Sequence, residues 1–228
     1  MRMTPYPSRR SAVALLALCA MAACSSSSTG GPVAASPQPD PGGGPAAAAR
    51  ARADSARYPY TDADVRFMSA MIGHHSQALV MAAWAPDNGA NSSVRTLAER
   101  IINGQQDEIV TMQHWLRDRG KPVPQPSRTG MTTHGSHHPM PMPGMLTEDQ
   151  LRQLRQARGG EFDRRFLTSM IEHHRGAVSM VKELFGTPGA ARDETVFKFA
   201  NDVSVDQSTE VARMERMLAT LPSAEPSQ

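Results

Sequence analysis

The chain has 228 residues, carries 24 Lys and Arg against 22 Asp and Glu, and contains two cysteines, Cys19 and Cys24. Beyond residue 24 the chain therefore forms no disulfide and offers no thiolate ligand. Loss of residues 1–23 removes three arginines and no acid, leaving 21 basic against 22 acidic side chains, a balance that argues against a nucleic-acid partner.

Taken in chain order, Arg2, Arg9 and Arg10 precede an apolar run from Ala12 to Ala20, and Met21-Ala22-Ala23 leads into Cys24. This is the form of a secretory signal, with an apolar part too short for a mature membrane span. It is similar to a bacterial lipoprotein signal, whose cleavage leaves Cys24 as a lipidated N-terminus. A plain secretory signal or an uncleaved anchor is the alternative. Residues 24–57 are read as a flexible tether, because Ser25 to Ala49 is mostly Ser, Gly, Pro and Ala with Asp40 as its single charge.

Thr61-Asp62 is a candidate N-terminus for a first helix running to about Trp84, ended by the turn Pro86-Asp87-Asn88-Gly89. Ser92 or Ser93 caps a second helix, whose apolar residues recur at spacings of three and four until Gly120-Lys121-Pro122. Residues 121–146 form an irregular linker rich in Pro, Met and His. Thr147-Glu148-Asp149-Gln150 is a capping-box pattern opening a short helix to about Arg158, and Gly159-Gly160 is expected to break it. A third long helix spans Glu161 to Phe185, Gly186-Thr187-Pro188-Gly189 turns, and a fourth runs from about Arg192 to Thr220. Residues 221–228 are read as a disordered tail.

The chain repeats itself. Phe67, Met71, His74, His75, Ala78 and Met81 recur as Phe166, Met170, His173, His174, Ala177 and Met180, 99 positions on, and Asp64 recurs as Asp163. On the following helix Ala98, Gln105, Glu108 and Met112 recur as Ala200, Gln207, Glu210 and Met214, 102 positions on. Each unit is thus a helix hairpin, and two hairpins with apolar faces are expected to pack as an all-α four-helix bundle over residues 58–220.

At about 100° per residue, His74 and His75 straddle the buried line through Met71 and Ala78, and His173 and His174 straddle Met170 in the same way. Glu108 and Met112, and Glu210 and Met214, share a face of the partner helices. Imidazole and carboxylate suit Zn, Cu(II) or Fe, and thioether suits Cu(I). The plainer reading is that Met is core filler and a His–Glu pair across helices is a structural hydrogen bond. The linker adds Met131, His134, His137, His138, Met140, Met142 and Met145, a tract able to wrap a soft metal without a preformed pocket. Copper fits best, with zinc or iron as alternatives.

Asp64-x-x-Phe67-Met68-x-x-Met71-Ile72-x-His74-His75-x-x-Ala78-x-x-Met81, followed by Gln105-x-x-Glu108-x-x-x-Met112, resembles the bacterial DUF305 family, and so does the second half around Phe166, Met170, His173 and His174. The resemblance implies a ferritin-like four-helix bundle, exported and often lipid-anchored, with copper binding in some members. It carries the metal-site expectation onto Met71, His74, His75, Met81, Met170, His173, His174 and Met180. The repeats differ at Ser76-Gln77 and Arg175-Gly176, so the halves need not bind alike.

These features point to an exported, membrane-anchored copper-binding protein on the cell membrane's outer face or in the periplasm, with a homo-oligomer or a copper-transfer partner as further expectations. A metal-free envelope scaffold is the alternative. A di-metal oxidase is disfavoured, because that class typically uses Glu-x-x-His and the third residue after Glu108 is Thr111, and after Glu210 is Arg213. The chain shows no nucleophile–base pair and no nucleotide fingerprint, which favours binding over catalysis.

Overall fold

A capping box opens the first long helix. Thr61 Oγ1 accepts from the Asp64 amide at 3.3 Å, and Asp64 Oδ2 accepts from the Thr61 amide at 2.6 Å. The computed structural model describes residues 44–57, 59–125 and 142–222. Among the described residues there are six helices and no strand: α1 (Pro45–Arg57), α2 (Asp62–Ala83), α3 (Ser92–Asp118), α4 (Glu148–Gln156), α5 (Gly159–Gly186) and α6 (Glu194–Thr220). Cys24 and the signal-like segment lie outside them, as do Met131, His134, His137, His138 and Met140.

Three boundaries differ from the sequence reading. The last part of the expected tether is helix α1, which packs on α3 and buries Ala51. Its run of alanines supplies the helix propensity that a Gly- and Ser-rich tether lacks. The cap of α3 is Asn91 rather than Ser92 or Ser93, its side chain accepting from the Val94 amide at 2.9 Å. The break after the short helix falls at Ala157-Arg158, and Gly159-Gly160 opens α5. Gly159 takes φ +53°, a conformation favourable for glycine, and donates its N–H to the Asn88 carbonyl at 2.9 Å.

The four long helices pack as two hairpins, α2 on α3 and α5 on α6, joined through α2 against α5. Asp64 and Asp163 lock the hairpins together symmetrically. Asp64 on α2 accepts from the Ala191 amide, just before α6, at 2.7 Å. Asp163 on α5 accepts from the side-chain amide of Asn91, just before α3, at 2.7 Å. Both carboxylates are buried, so removing one leaves amide donors unpaired in the interior.

The apolar interior falls into two clusters. One gathers the end of α2 and the start of α3 with the start of α5, including Met81, Leu97, Phe162, Phe166, Met170 and, from α6, Met214. The other gathers the start of α2, the end of α3, the end of α5 and the start of α6, including Phe67, Met71, Met112, Met180, Phe199 and Val203. Burial of each of these large side chains contributes roughly 1.5–3 kcal/mol. On α2 and α5 the residues between the two apolar stretches are the histidine pairs.

Candidate metal centre

His74, His75, His173 and His174 are all fully buried. The duplicated α2 and α5 lie side by side, so the two His-His motifs meet. The rings of His74 and His173 lie face to face, tilted by 39°, with centroids 3.9 Å apart. His75 and His174 point away from this inner pair, with ring centroids 6.4 Å from His74 and 6.2 Å from His173 respectively. The divergence of about 100° between adjacent helical residues produces this split.

The outer histidines each meet a carboxylate. His75 Nε2 lies 2.6 Å from Glu108 Oε2, and His174 Nε2 lies 2.8 Å from Glu210 Oε2. His74 Nε2 lies 3.0 Å from the Pro143 carbonyl oxygen. A carbonyl oxygen and an ionised carboxylate only accept, so each of these Nε2 atoms carries the hydrogen. In the neutral ring the Nδ1 atoms of His74, His75 and His174 carry the lone pair, and all three are buried without a partner. His173 has neither ring nitrogen in a hydrogen bond. Its approach to the backbone of His74 favours charge slightly without reaching hydrogen-bond geometry.

Burial, followed by the neighbouring His75, pushes the His74 pKa down to about 3. Burial, then His74, holds His173 well below the ordinary histidine value. The inner pair is therefore neutral at physiological pH, which is the form that ligates metals.

A short strap covers the inner pair. Gln77 grips its backbone twice, donating to the Leu146 carbonyl at 3.0 Å and accepting from the Leu146 amide at 2.7 Å. Gly176 makes room for it: a Cβ there would overlap the Pro143 carbonyl and Gly144. The departure between repeats at Gln77 and Gly176 thus has a structural cause, since one strap crosses a two-fold arrangement. Pro143, Gly144 and Leu146 were not singled out from sequence. The mismatch at Gln77 and Gly176 is the one signal that marks them.

The six methionines expected as ligands on the long helices divide evenly. Met71, Met112 and Met180 lie in one apolar cluster, and Met81, Met170 and Met214 in the other. Met142 packs partly buried against the first of these, and Met145 is half-buried in the strap. The structure does not gather the whole expected ligand set. Among the described residues no three His, Cys, Asp or Glu side chains are arranged to hold one ion. Glu108 and Glu210, expected as ligands, instead have an oxygen on an imidazole N–H.

The sequence of residues 64–218 matches the domain of unknown function DUF305. The chain belongs to the DUF305 family. A DUF305 protein from Streptomyces coelicolor superposes with a TM-score of 0.60 at 27% identity, covering 73% of this chain and 98% of that one. CopM in its Cu(II)-bound form superposes with a TM-score of 0.54 at 29% identity, covering 68% of this chain and 95% of CopM, and the Cu(I)-bound form of CopM is also similar. An uncharacterised protein, L153, of Acanthamoeba polyphaga mimivirus is 36% identical over 56 residues, which are 25% of this chain and 37% of that protein. This DUF305 chain thus shares its all-helical fold with CopM, a protein solved with copper bound.

Proposed function

We propose that the chain is an exported, lipid-anchored copper-binding protein, built on a ferritin-like four-helix bundle and acting in copper storage, delivery or detoxification. One observation carries this reading. Three buried imidazoles have Nε2 fixed on an oxygen acceptor and present a bare, unpartnered Nδ1. A carboxylate or carbonyl on the far nitrogen is how metal-binding histidines are ordinarily held. Glu108 and Glu210 are then orienting groups for His75 and His174 rather than ligands.

The donors suit copper as cargo. Imidazole nitrogen binds both Cu(I) and Cu(II), and the methionine thioethers bracketing the histidines favour Cu(I) over zinc. The similarity to CopM, which is solved with Cu(II) and with Cu(I), supports the same choice. The sequence tract Met131, His134, His137, His138, Met140, Met142 and Met145 would supply a second, softer reservoir. Export and anchoring rest on the signal-like segment and Cys24, and the Streptomyces relative is described as secreted.

The lack of a preformed three-donor set favours the metal-free scaffold as the second reading. Competition titration with Cu(I) and Cu(II) separates the two. The variant with His74, His75, His173 and His174 changed to Ala and residues 131–145 deleted loses stoichiometric copper binding, while helical content by circular dichroism is retained. Unchanged copper stoichiometry and affinity in that variant contradicts the proposal. A melting temperature indifferent to copper, zinc and iron favours the scaffold.

A further inference from the structure

The fourth side of the helix arrangement is open. α3 and α6 do not pack closely on each other, and a recess of about 290 Å³ lies between them. Its lining includes Gln105, Glu108, Asp206, Gln207 and Glu210, with Arg100 as the cation among its lining residues. Gln105 and Gln207 are the repeat-related pair and are only 4% and 2% exposed. Both the oxygen and the nitrogen of each amide lack a partner. Two unpaired buried amides are costly unless something polar occupies the space they line.

The two-fold pattern breaks here in one place. The position aligned with Asp206 is Gly104, where an added Cβ would meet open space. A third carboxylate is thus added to the repeat-related pair Glu108 and Glu210, opposite a residue with no side chain. These carboxylates and Asp202 crowd one another electrostatically, and the Asp206 pKa is raised by burial first and then by Glu108, Asp202 and Glu210.

We propose that the recess between α3 and α6 is a capture site for a hydrated divalent cation, held through its water shell by Glu108, Asp206 and Glu210 and by the amides of Gln105 and Gln207. The carboxylates of the recess do not converge as a three-donor set among the described residues, so contact through the water shell is the mode assigned to them. An amide suits this task, since its oxygen accepts from a bound water while its N–H groups can donate to a carboxylate. Glu108 and Glu210 line the recess and are themselves bonded to His75 and His174, so a captured ion stands one side chain away from the outer imidazoles. The site rests on the copper reading only for the identity of its natural occupant, the aqueous Cu(II) ion.

Hexaamminecobalt(III) tests it, because an inert ammine shell mimics a hydrated ion and cannot ligate imidazole. In the full chain at about 0.15 M salt, where long-range surface attraction is screened, the side-chain amide NMR signals of Gln105 and Gln207 shift saturably on titration. Asp206→Asn weakens this binding about tenfold, Gly104→Asp tightens it, and Asp202→Asn, on the same helix but outside the recess, weakens it by no more than about twofold through its longer-range charge. Absence of saturable shifts at the two glutamines overturns the proposal. So does equal weakening by Asp206→Asn and Asp202→Asn, which marks a diffuse charge effect. Failure here leaves copper binding by the imidazoles intact, and copper stoichiometry of the same sample reports on that separately.

Discussion

The imidazoles of His74 and His173, 99 positions apart in sequence, stack at 3.9 Å in the interior with three of their four ring nitrogens unpartnered. A core selected for stability alone would not place two polar rings against each other in this way, because each unpaired buried nitrogen carries a desolvation cost of about 1–3 kcal/mol. The stack is therefore the part of the fold at which stability and function are expected to oppose each other.

His173→Phe exposes that opposition. Replacing an unpartnered ring with an apolar one of similar size leaves the metal-free protein equally stable or more stable by about 1 kcal/mol, and copper affinity falls. Urea denaturation and copper competition on the same variant check both halves. A marked loss of stability would show that His173 is a satisfied structural residue.

Acid should weaken the fold through the same pair. A histidine in the unfolded chain has a pKa of about 6.5, whereas His74 is pushed down to about 3 and His173 is also strongly lowered. The unfolded chain thus binds more protons between these values. The stabilisation is complete above about pH 6.5 and is lost as pH falls from there toward the folded values, by at most about 1.4 kcal/mol per pH unit for each imidazole. Denaturation midpoints across this range check the slope, and His173→Phe should make it shallower. An equal slope in the variant removes the inner pair from the explanation.

Much of this was legible in the sequence, and the boundary of legibility is physical. Helices, their turns and the hairpin repeat follow from apolar periodicity and from capping residues such as Thr61 and Thr147, which act locally. That His74 and His75 border the buried stripe follows from the helical angle. Which of them meets His173 does not, because that depends on the rotation of α2 against α5. The strap is less visible still. It is held through backbone atoms of Pro143 and Leu146, which leave no periodic signal, and only the exchange of Gln77 for Gly176 between repeats betrays it. The helical face bearing Glu108 and Glu210 was readable, but their bonds to imidazole N–H require knowing the partner helix.

If Glu108 and Glu210 orient rather than ligate, Glu108→Ala and Glu210→Ala should lower copper affinity about 10- to 100-fold without changing the number of ions bound. Competition titration separates the two quantities. Loss of one bound ion per substitution would make the carboxylates ligands.

The strap predicts a steric phenotype. Gly176→Ala places a methyl group against the Pro143 carbonyl, displacing the strap from α5 and from His74 Nε2. The expected cost is about 1–3 kcal/mol of stability, with faster hydrogen exchange at the Leu146 amide. Gln77→Ala, which removes both grips on Leu146, should give the same exchange signature by a different route. Unchanged exchange at Leu146 in both variants would show that the strap is not held by these contacts.

The most direct test of the central claim is long-range proton–nitrogen NMR of the histidine rings as diamagnetic Cu(I) is added under reducing conditions. The account predicts that Nδ1 of His74, His75 and His174 shifts while Nε2 of each stays protonated on Pro143, Glu108 and Glu210. Shifts confined to the linker histidines His134, His137 and His138, with the four buried rings unmoved, would contradict it.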